Sequence, residues 1–181
     1  AVQHQMLLMG SGADLIATRI GASREDCDAA ALQSQQRATL AQQEGRFQSI
    51  IPIETSEGLI SEDECIRTDM TAERLARLPA AFAELGAAGA DQLQLAKFTE
   101  LTAIKHVHTM GNSPAMCDAG ALVLLGDAAL GESLGIAPKA RLVTSTTASG
   151  EPLEVVSGCV TVTEALLVDQ SLRARDIDLF E

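Results

Sequence analysis

Aromatic side chains are almost absent from this chain of 181 residues, which contains no Trp, no Tyr and four Phe. Hydrophobic residues nevertheless make up 46% of it and charged residues 21%, a balance typical of globular proteins and not of disordered ones. The core must therefore be built from Ala, Leu, Val and Ile, as in Ala-rich α/β proteins. At this length the chain can bury such a core.

Positive charge is also scarce, since the chain has 13 Lys and Arg but 25 Asp and Glu, and the formal net charge is −12. Such a surface repels phosphate backbones, so nucleic acid is not expected as a partner. A small polyanionic ligand stays possible, because local Arg, Lys or backbone N–H groups can bind it. No apolar run reaches the roughly 18 to 20 residues that span a bilayer, so no membrane partner is expected.

Cysteine pairs and a secretory leader are missing too. Cys27, Cys65, Cys117 and Cys159 are widely spaced and form no CxxC pair, which argues against a zinc site and against a disulfide-stapled secreted fold. We predict reduced thiols, no metal, no covalently bound cofactor and a cytoplasmic location. The opening AVQHQMLLMG has neither an initiator Met nor a signal pattern, so we expect a piece of something longer.

The most informative stretch runs from His106 to Gly126, HVHTMGNSPAMCDAGALVLLG. A loop of small and polar residues precedes an apolar run, an order that is typical of a ligand site next to a buried strand. A surface connection with a helix cap accounts for the same residues equally well, so both interpretations stay open here. Cys117 lies in this loop, but the spacing shows no neighbouring base, and a nucleophilic role is not favoured.

The first part of the chain carries helix signals. Ser11, with Asp14 three residues later, predicts an N-cap for a helix that ends at Gly21. Ser23, followed by acidic residues, predicts a longer helix that stops at Gly45. Thr71 predicts the cap of a short third helix.

Two further segments of this part are predicted to be non-helical. Residues 47–55 are typical of a short edge strand, because Pro52 lacks a donor for a central position. Residues 86–89, GAAG, indicate a flexible linker.

In the second part, strand and helix patterns alternate. Strands are predicted at 121–125, 141–147 and 176–180, separated by helices at 127–134 and 160–172. Such alternation indicates βαβ units with a mostly parallel sheet. The chain ends on the last strand, where α/β folds usually continue into a functional loop.

A series of motifs then occurs in one order along the chain: SGADLIATRIGASREDCDAAALQSQQRATLAQQEGRF, SIIPIE, DECIRTDMTAERLARLPAAF, VHTMGNSPAMCDAGALVLLG, LGIAPKARLV and DIDLFE. This series resembles the central part of the thiolases, the acetyl-CoA C-acyltransferases, and among them the bacterial acetyl-CoA acetyltransferase type. The resemblance implies a parent enzyme that cleaves 3-ketoacyl-CoA or condenses acetyl-CoA, with coenzyme A or acyl-CoA as substrate. It also implies a homo-oligomer, a dimer or tetramer.

The resemblance implies an α/β, thiolase-like fold class in two portions. Residues 1–111 would form a mainly helical portion of the loop domain. Residues 112–181 would form the beginning of the C-terminal α/β domain, an incomplete βαβαβ three-layer half.

It also implies contacts with coenzyme A. By motif position, Met9 would lie beside the thioester and Phe82 against the pantetheine arm, with Met110, Pro114 and Ala115 along that arm. Pro114 stands where the family usually has Ser, so it removes a hydroxyl and a backbone donor from the pocket.

No catalytic residue is assigned to this chain. In thiolases the acylated Cys lies upstream of this region, and the "NEAF", "GHP" and "CGG" motifs lie downstream, while His4, His106 and His108 are not in the family's catalytic contexts. The chain alone is therefore expected to be inactive. The alternative is a short, non-catalytic thiolase-like protein that binds coenzyme A or a partner.

Overall fold

The computed structural model describes residues 7–180, in which the chain forms two compact units. The first unit consists of the chain up to Cys117 together with Pro152–Val156. The second consists of Asp118–Glu151 and the chain from Ser157 onward. Regular structure in the described part is mostly helical, with one two-stranded sheet. The assignment of residues 1–111 and 112–181 to thiolase domains stays a prediction, and His4 lies outside the described residues.

Two helices open the first unit: α1 at Met9–Ile20 and α2 at Arg24–Gln43. The prediction that Ser11 caps α1 is wrong, because Leu8 is the N-cap and Ser11 is buried inside the first turn. Gly21 ends α1 in the left-handed conformation, as predicted.

The predicted cap of α2 is confirmed. The Ser23 hydroxyl accepts from the Asp26 backbone N–H, and the Asp26 carboxylate accepts from the Ser23 backbone N–H, which completes a capping box.

A small antiparallel hairpin follows, with β1 at Ile53–Thr55 and β2 at Gly58–Ile60. The strand predicted at residues 47–55 is therefore only partly right. Strand pairing starts at Ile53, directly after Pro52, which has no N–H to donate.

Short helices complete the first unit. The helix α3 spans Ala72–Ala76, and the Thr71 hydroxyl accepts from the Arg74 backbone N–H, which confirms the predicted cap. The helices α4 at Ala83–Leu85 and α5 at Asp91–Lys97 are joined by a π-helical turn, Gly86–Ala90. Gly89 adopts φ 128°, which is not helical, so the chain kinks there between α4 and α5. The predicted linker at residues 86–89 is therefore a kinked connection between two helices, and its flexibility stays a prediction.

The core of the first unit is small and contains polar side chains. Its fully buried members include Leu15, Leu75, Asp14, Gln94 and Thr109. The returning residues 152–156 close it, because Gln94 donates to the Leu153 carbonyl (3.2 Å) and Arg19 pairs with Glu154.

In the second unit, the helix predicted at 127–134 is confirmed as α6 at Ala128–Leu134. The Asp127 side chain accepts from the Leu130 N–H at its start, and a left-handed Gly135 ends it. The helix α7 spans Gly158–Asp169, which is shorter at its end than the predicted 160–172.

The parallel strands predicted at 121–125, 141–147 and 176–180 are not formed in residues 7–180, and a 3₁₀ turn occupies Ala174–Asp176. A strand needs a neighbouring strand to receive its hydrogen bonds. The described chain supplies none to the apolar run at 121–125, where Leu122 is 98% exposed. The finer description of a βαβαβ half stays a prediction.

Candidate functional site

A buried carboxylate in α1, that of Asp14, organises the candidate site. It has no exposed surface and accepts four hydrogen bonds: from Nδ1 of His106 (2.9 Å), Nδ1 of His108 (2.7 Å), and the backbone N–H groups of Val107 (3.0 Å) and His108 (3.1 Å). An ionised carboxylate only accepts, so both imidazoles donate through Nδ1. These bonds attach residues 106–108 to α1.

The electrostatics keep this carboxylate charged. Burial alone would raise the pKa of Asp14, but the hydrogen bonds from His108, His106 and the backbone outweigh burial, and the net pKa lies below its usual value. Burial likewise works to lower the pKa of His106. The hydrogen bond to Asp14 and the charges of Asp91 and Asp14 outweigh it, so the net pKa of His106 is raised.

A tight turn follows this attachment point. Asn112 Oδ1 accepts from the Thr109 N–H (2.7 Å), and Thr109 Oγ1 accepts from the Gly111 N–H (3.1 Å). The Asn112 amide donates to Asp28 Oδ1 (2.8 Å) and to the Val107 carbonyl (3.1 Å). Since Asp28 lies in α2, these bonds fix the turn to α2 and leave Met110 67% exposed.

Phe82 lies against the start of α1. A Cβ atom on Gly10 would overlap the Phe82 ring, so the ring packs directly on the helix backbone. The neighbouring Ala81 N–H donates to the His108 carbonyl (2.9 Å). Three predicted site residues, Met9, Phe82 and Met110, therefore come from segments that contact one another.

None of these three side chains is fully buried. Met9 is 68% exposed and Phe82 is half-buried, while Pro114 and Ala115 are exposed beyond the turn. Arg67 Nη1 supports the turn from outside by donating to the carbonyls of Met110 (2.9 Å) and Gly111 (3.3 Å).

Two hollows lie elsewhere in the first unit. One is a groove of about 160 Å³ between α2 and residues 67–70. The other is an open depression of about 550 Å³ along the π-helical turn and α5. Neither is lined by any of the five residues predicted to contact coenzyme A.

Two of the thiols have raised pKa values. Burial, followed by the charges of Asp26 and Asp28, raises the pKa of the Cys27 thiol. Burial, followed by the neighbouring Cys117, raises the pKa of the Cys65 thiol. Because the thiolate is the reactive form, neither group is activated.

The structure also bears on metals and membranes. Within residues 7–180, no group of three or more His, Cys, Asp and Glu side chains could hold a metal ion. None of the helices in that part of the chain combines the length and apolar character needed to cross a membrane.

Two organising residues, Asp14 and Asn112, were missed or undervalued at the level of sequence. The sequence pattern predicts Asp14 only as part of a helix cap and gives Asn112 no role beyond the loop. The available signal was the spacing of His106 and His108, since residues two apart in an extended chain point to the same side and can share an acceptor. The identity of that acceptor depends on tertiary contacts.

Comparison with known proteins identifies the class. The model of the family described as "Thiolase, N-terminal domain" matches residues 1–94, which is more than half of the chain. The chain therefore belongs to the thiolase family.

Curated relatives agree over nearly the whole chain. An acetyl-CoA acetyltransferase of Allochromatium vinosum is 32% identical over 179 residues, covering 96% of this chain and 40% of the relative. A 3-ketoacyl-CoA thiolase of Cronobacter sakazakii is 32% identical over 180 residues, covering 96% of this chain and 42% of the relative. The chain thus spans about two fifths of the length of these relatives.

Solved structures show the same fold. The acetyl-CoA acetyltransferase from Syntrophomonas wolfei superposes with a TM-score of 0.67 at 24% identity, covering 94% of this chain and 38% of that one. Human mitochondrial 3-ketoacyl-CoA thiolase gives a TM-score of 0.66 at 24% identity, covering 96% of this chain and 40% of that one. The described units therefore adopt part of a thiolase fold.

Proposed function

We propose that this chain is the central section of a thiolase-type acyltransferase and contributes contacts to the pantetheine arm of coenzyme A. The parent enzyme would carry out thiolytic cleavage of 3-ketoacyl-CoA or Claisen condensation of acetyl-CoA. Membership of the thiolase family supports the reaction class. The observation that carries the binding role is the contact between the segments of Met9, Phe82 and Met110.

The chemistry of this surface suits a flexible, largely uncharged chain. Methionine is unbranched and polarisable, so exposed Met9 and Met110 can adapt to methylene and amide groups. Phe82 offers a flat face whose position is fixed by packing on Gly10. The net charge of −12 disfavours close contact with phosphates, so the binding contribution falls on the pantetheine arm.

Pro114 and Ala115 would continue this surface along the arm. Proline has neither a hydroxyl nor a backbone N–H to donate. The proposed site therefore relies on apolar contact and on the surrounding backbone for affinity.

The chain alone is proposed to be inactive. Claisen chemistry needs a thiolate to carry the acyl group, a base, and donors for the thioester oxyanion. His106 and His108 both use Nδ1 to bond Asp14. The raised pKa values of the Cys27 and Cys65 thiols work against thiolate formation. We also propose that the parent enzyme is a cytoplasmic homo-oligomer.

Calorimetric titration of the chain with coenzyme A tests the binding role. Phe82→Ala should weaken binding at least tenfold, whereas Phe47→Ala removes an aromatic ring outside the proposed surface and should leave affinity unchanged. Because Phe82 also packs on Gly10, a second pair separates binding from folding: Met110→Ala should weaken binding, and Leu59→Ala, which removes an equally exposed apolar side chain from β2, should not.

No saturable heat at millimolar coenzyme A would overturn the binding role, as would equal losses in the site variants and their controls. A thiolysis assay on the same sample should give no turnover above buffer. Measurable turnover would contradict the proposed inactivity of the chain alone.

A further inference from the structure

His106 is held between two carboxylates that come from different helices. Its Nδ1 lies 2.9 Å from Asp14 Oδ2 in α1, and its Nε2 lies 3.2 Å from Asp91 Oδ2 at the start of α5. The ring is largely buried, with 17% of the side chain exposed, and the side chain of Asp91 is 27% exposed. Both nitrogens therefore face acceptors with limited access to water.

Hydrogen-bond chemistry restricts the protonation state that fits this geometry. A neutral imidazole carries one N–H, and its other nitrogen is an acceptor. Ionised carboxylates have no proton to donate, so a neutral His106 would place a lone pair against one of the two carboxylates. Only the imidazolium donates to both.

We propose that His106 is an imidazolium bridge between Asp14 of α1 and Asp91 of α5, and that loss of its Nε2 proton at alkaline pH releases α5 from residues 106–108. The bridge lies outside the residues assigned to coenzyme A and goes beyond the proposed function. The remaining Nδ1–H still bonds Asp14, so the Asp91 side is the side that opens.

Other groups around the ring come from its own segment, from α2 and from the π-helical turn. On its own segment, His108 bonds the same Asp14 through Nδ1 (2.7 Å). From α2, the Cys27 thiol faces the charge of Asp14, which helps to raise the pKa of that thiol. From the π-helical turn, Gly86 contributes only backbone, because a Cβ there would lie 2.6 Å from His106 Cε1 and 2.7 Å from Nε2.

The absence of a side chain at Gly86 lets the ring reach Asp91. A Cβ on Gly86 would also lie 2.6 Å from Asp91 Oδ1, so any larger residue would push the carboxylate and the imidazole apart. The glycine is therefore part of the bridge. The electrostatics also favour the charged ring. Burial lowers the pKa of His106, but the hydrogen bonds and charges of the two carboxylates outweigh burial and raise the net pKa.

The bridge also connects pH to the proposed binding surface. The helices α4 and α5 are linked through the π-helical turn, and α4 begins directly after Phe82. Release of α5 would therefore loosen the support of Phe82. This last step rests on the proposed function, whereas the bridge itself does not.

The direct test is nuclear magnetic resonance of the chain with ¹⁵N-labelled histidine. At neutral pH both ring nitrogens of His106 should carry protons, and the titration midpoint should lie above that of a free histidine. Asp91→Asn should shift the midpoint to lower pH. Glu84→Gln, an exposed change on α4 that removes the same charge, should leave the midpoint where it is.

A single ring proton on His106 at neutral pH would overturn the proposal, and so would equal midpoints in wild type and Asp91→Asn. Coenzyme A titrations at neutral and alkaline pH separate the two claims. Binding that weakens as His106 loses its proton, with less pH dependence in Asp91→Asn, supports the connection to Phe82. Absence of coenzyme A binding at every pH, with the predicted ring titration intact, would reject the proposed function and leave the bridge standing.

Discussion

Single residues decide where the segments of the first unit meet. The Asp14 carboxylate, which has no exposure to solvent, accepts four hydrogen bonds from residues 106–108. Asn112 bonds the following turn to α2. A buried carboxylate is costly unless it is fully bonded, and the two histidines and two backbone amides satisfy it. The exposed position of Met110 follows from these bonds.

Gly10 should not tolerate a side chain. In Gly10→Ala the new Cβ would overlap the Phe82 ring and force it away from α1, which should cost about 1 to 3 kcal/mol of unfolding free energy. Urea denaturation measures the loss. Gly120→Ala is the matched control, because a Cβ there meets nothing within 4 Å, and equal stabilities of the two variants would refute the packing of Phe82 on Gly10.

Asn112→Asp should destabilise the turn although it preserves shape. The amide that donates to Asp28 and to the Val107 carbonyl becomes a carboxylate oxygen, which leaves both acceptors unpaired and adds repulsion with Asp28. The expected loss is about 1 to 3 kcal/mol in chemical denaturation. Gln48→Glu makes the same charge change on an exposed residue, and a comparable loss in that control would show that net charge and not the turn is responsible.

At the scale of elements, local signals predicted helix ends well. Ser23 and Thr71 cap their helices and Gly21 ends α1, all as predicted, because capping depends on neighbours within a few residues. Ser11 does not cap α1 because the helix already begins at Met9, with Leu8 as the N-cap, while Asp14 bonds residues far along the chain.

Strands and the linker were harder to predict for a related reason. The apolar run at 121–125 has strand-like composition, yet pairing needs a second strand that residues 7–180 do not provide. Gly86 and Gly89 resemble a flexible linker in sequence. In the structure Gly89 forms a kink between two helices and Gly86 packs on His106, a contact that no local pattern contains. The role of Asp14 as the centre of the site also depends on contacts between distant segments, so no local pattern predicts it.

The capping box of α2 gives an element-scale prediction. Ser23→Ala removes the hydroxyl that accepts from the Asp26 N–H and should lower stability by about 1 kcal/mol. Thermal unfolding followed by circular dichroism measures this change. Ser34→Ala lies on an exposed position inside the same helix, where alanine is favourable, and should not lower stability. A loss in Ser34→Ala as large as that in Ser23→Ala would contradict a specific role for the cap.

At the scale of the whole molecule, the chain belongs to the thiolase family, and its two described units carry regular structure mainly as helices. The motif order predicts the family because motif order and spacing survive sequence divergence better than individual contacts do. The residues proposed to touch coenzyme A come from that resemblance, and the structure adds how their segments are joined.

Stability should be lost on both sides of neutral pH. The raised pKa of His106 contributes stability that is complete below about pH 6.5 and is lost as the pH rises through the raised value. The lowered pKa of Asp14 contributes stability that is complete above about pH 3.9 and is lost as the pH falls through the lowered value. The urea concentration at half unfolding should decrease at both the acidic and the alkaline end of the pH range. The decrease at alkaline pH should be smaller in Asp91→Asn. A flat alkaline limb in wild type would contradict the charged His106.

The central claim, that Met9 and Met110 contact coenzyme A, can be observed directly on the methionine methyl groups. The chain contains five methionines, so ¹³C-methyl labelling gives a sparse spectrum. On titration with coenzyme A, the Met9 and Met110 resonances should shift together and saturate. Met70, which lines the separate groove beside α2, should stay in place. Unchanged Met9 and Met110 resonances at saturating ligand, or a shift confined to Met70, would contradict the account.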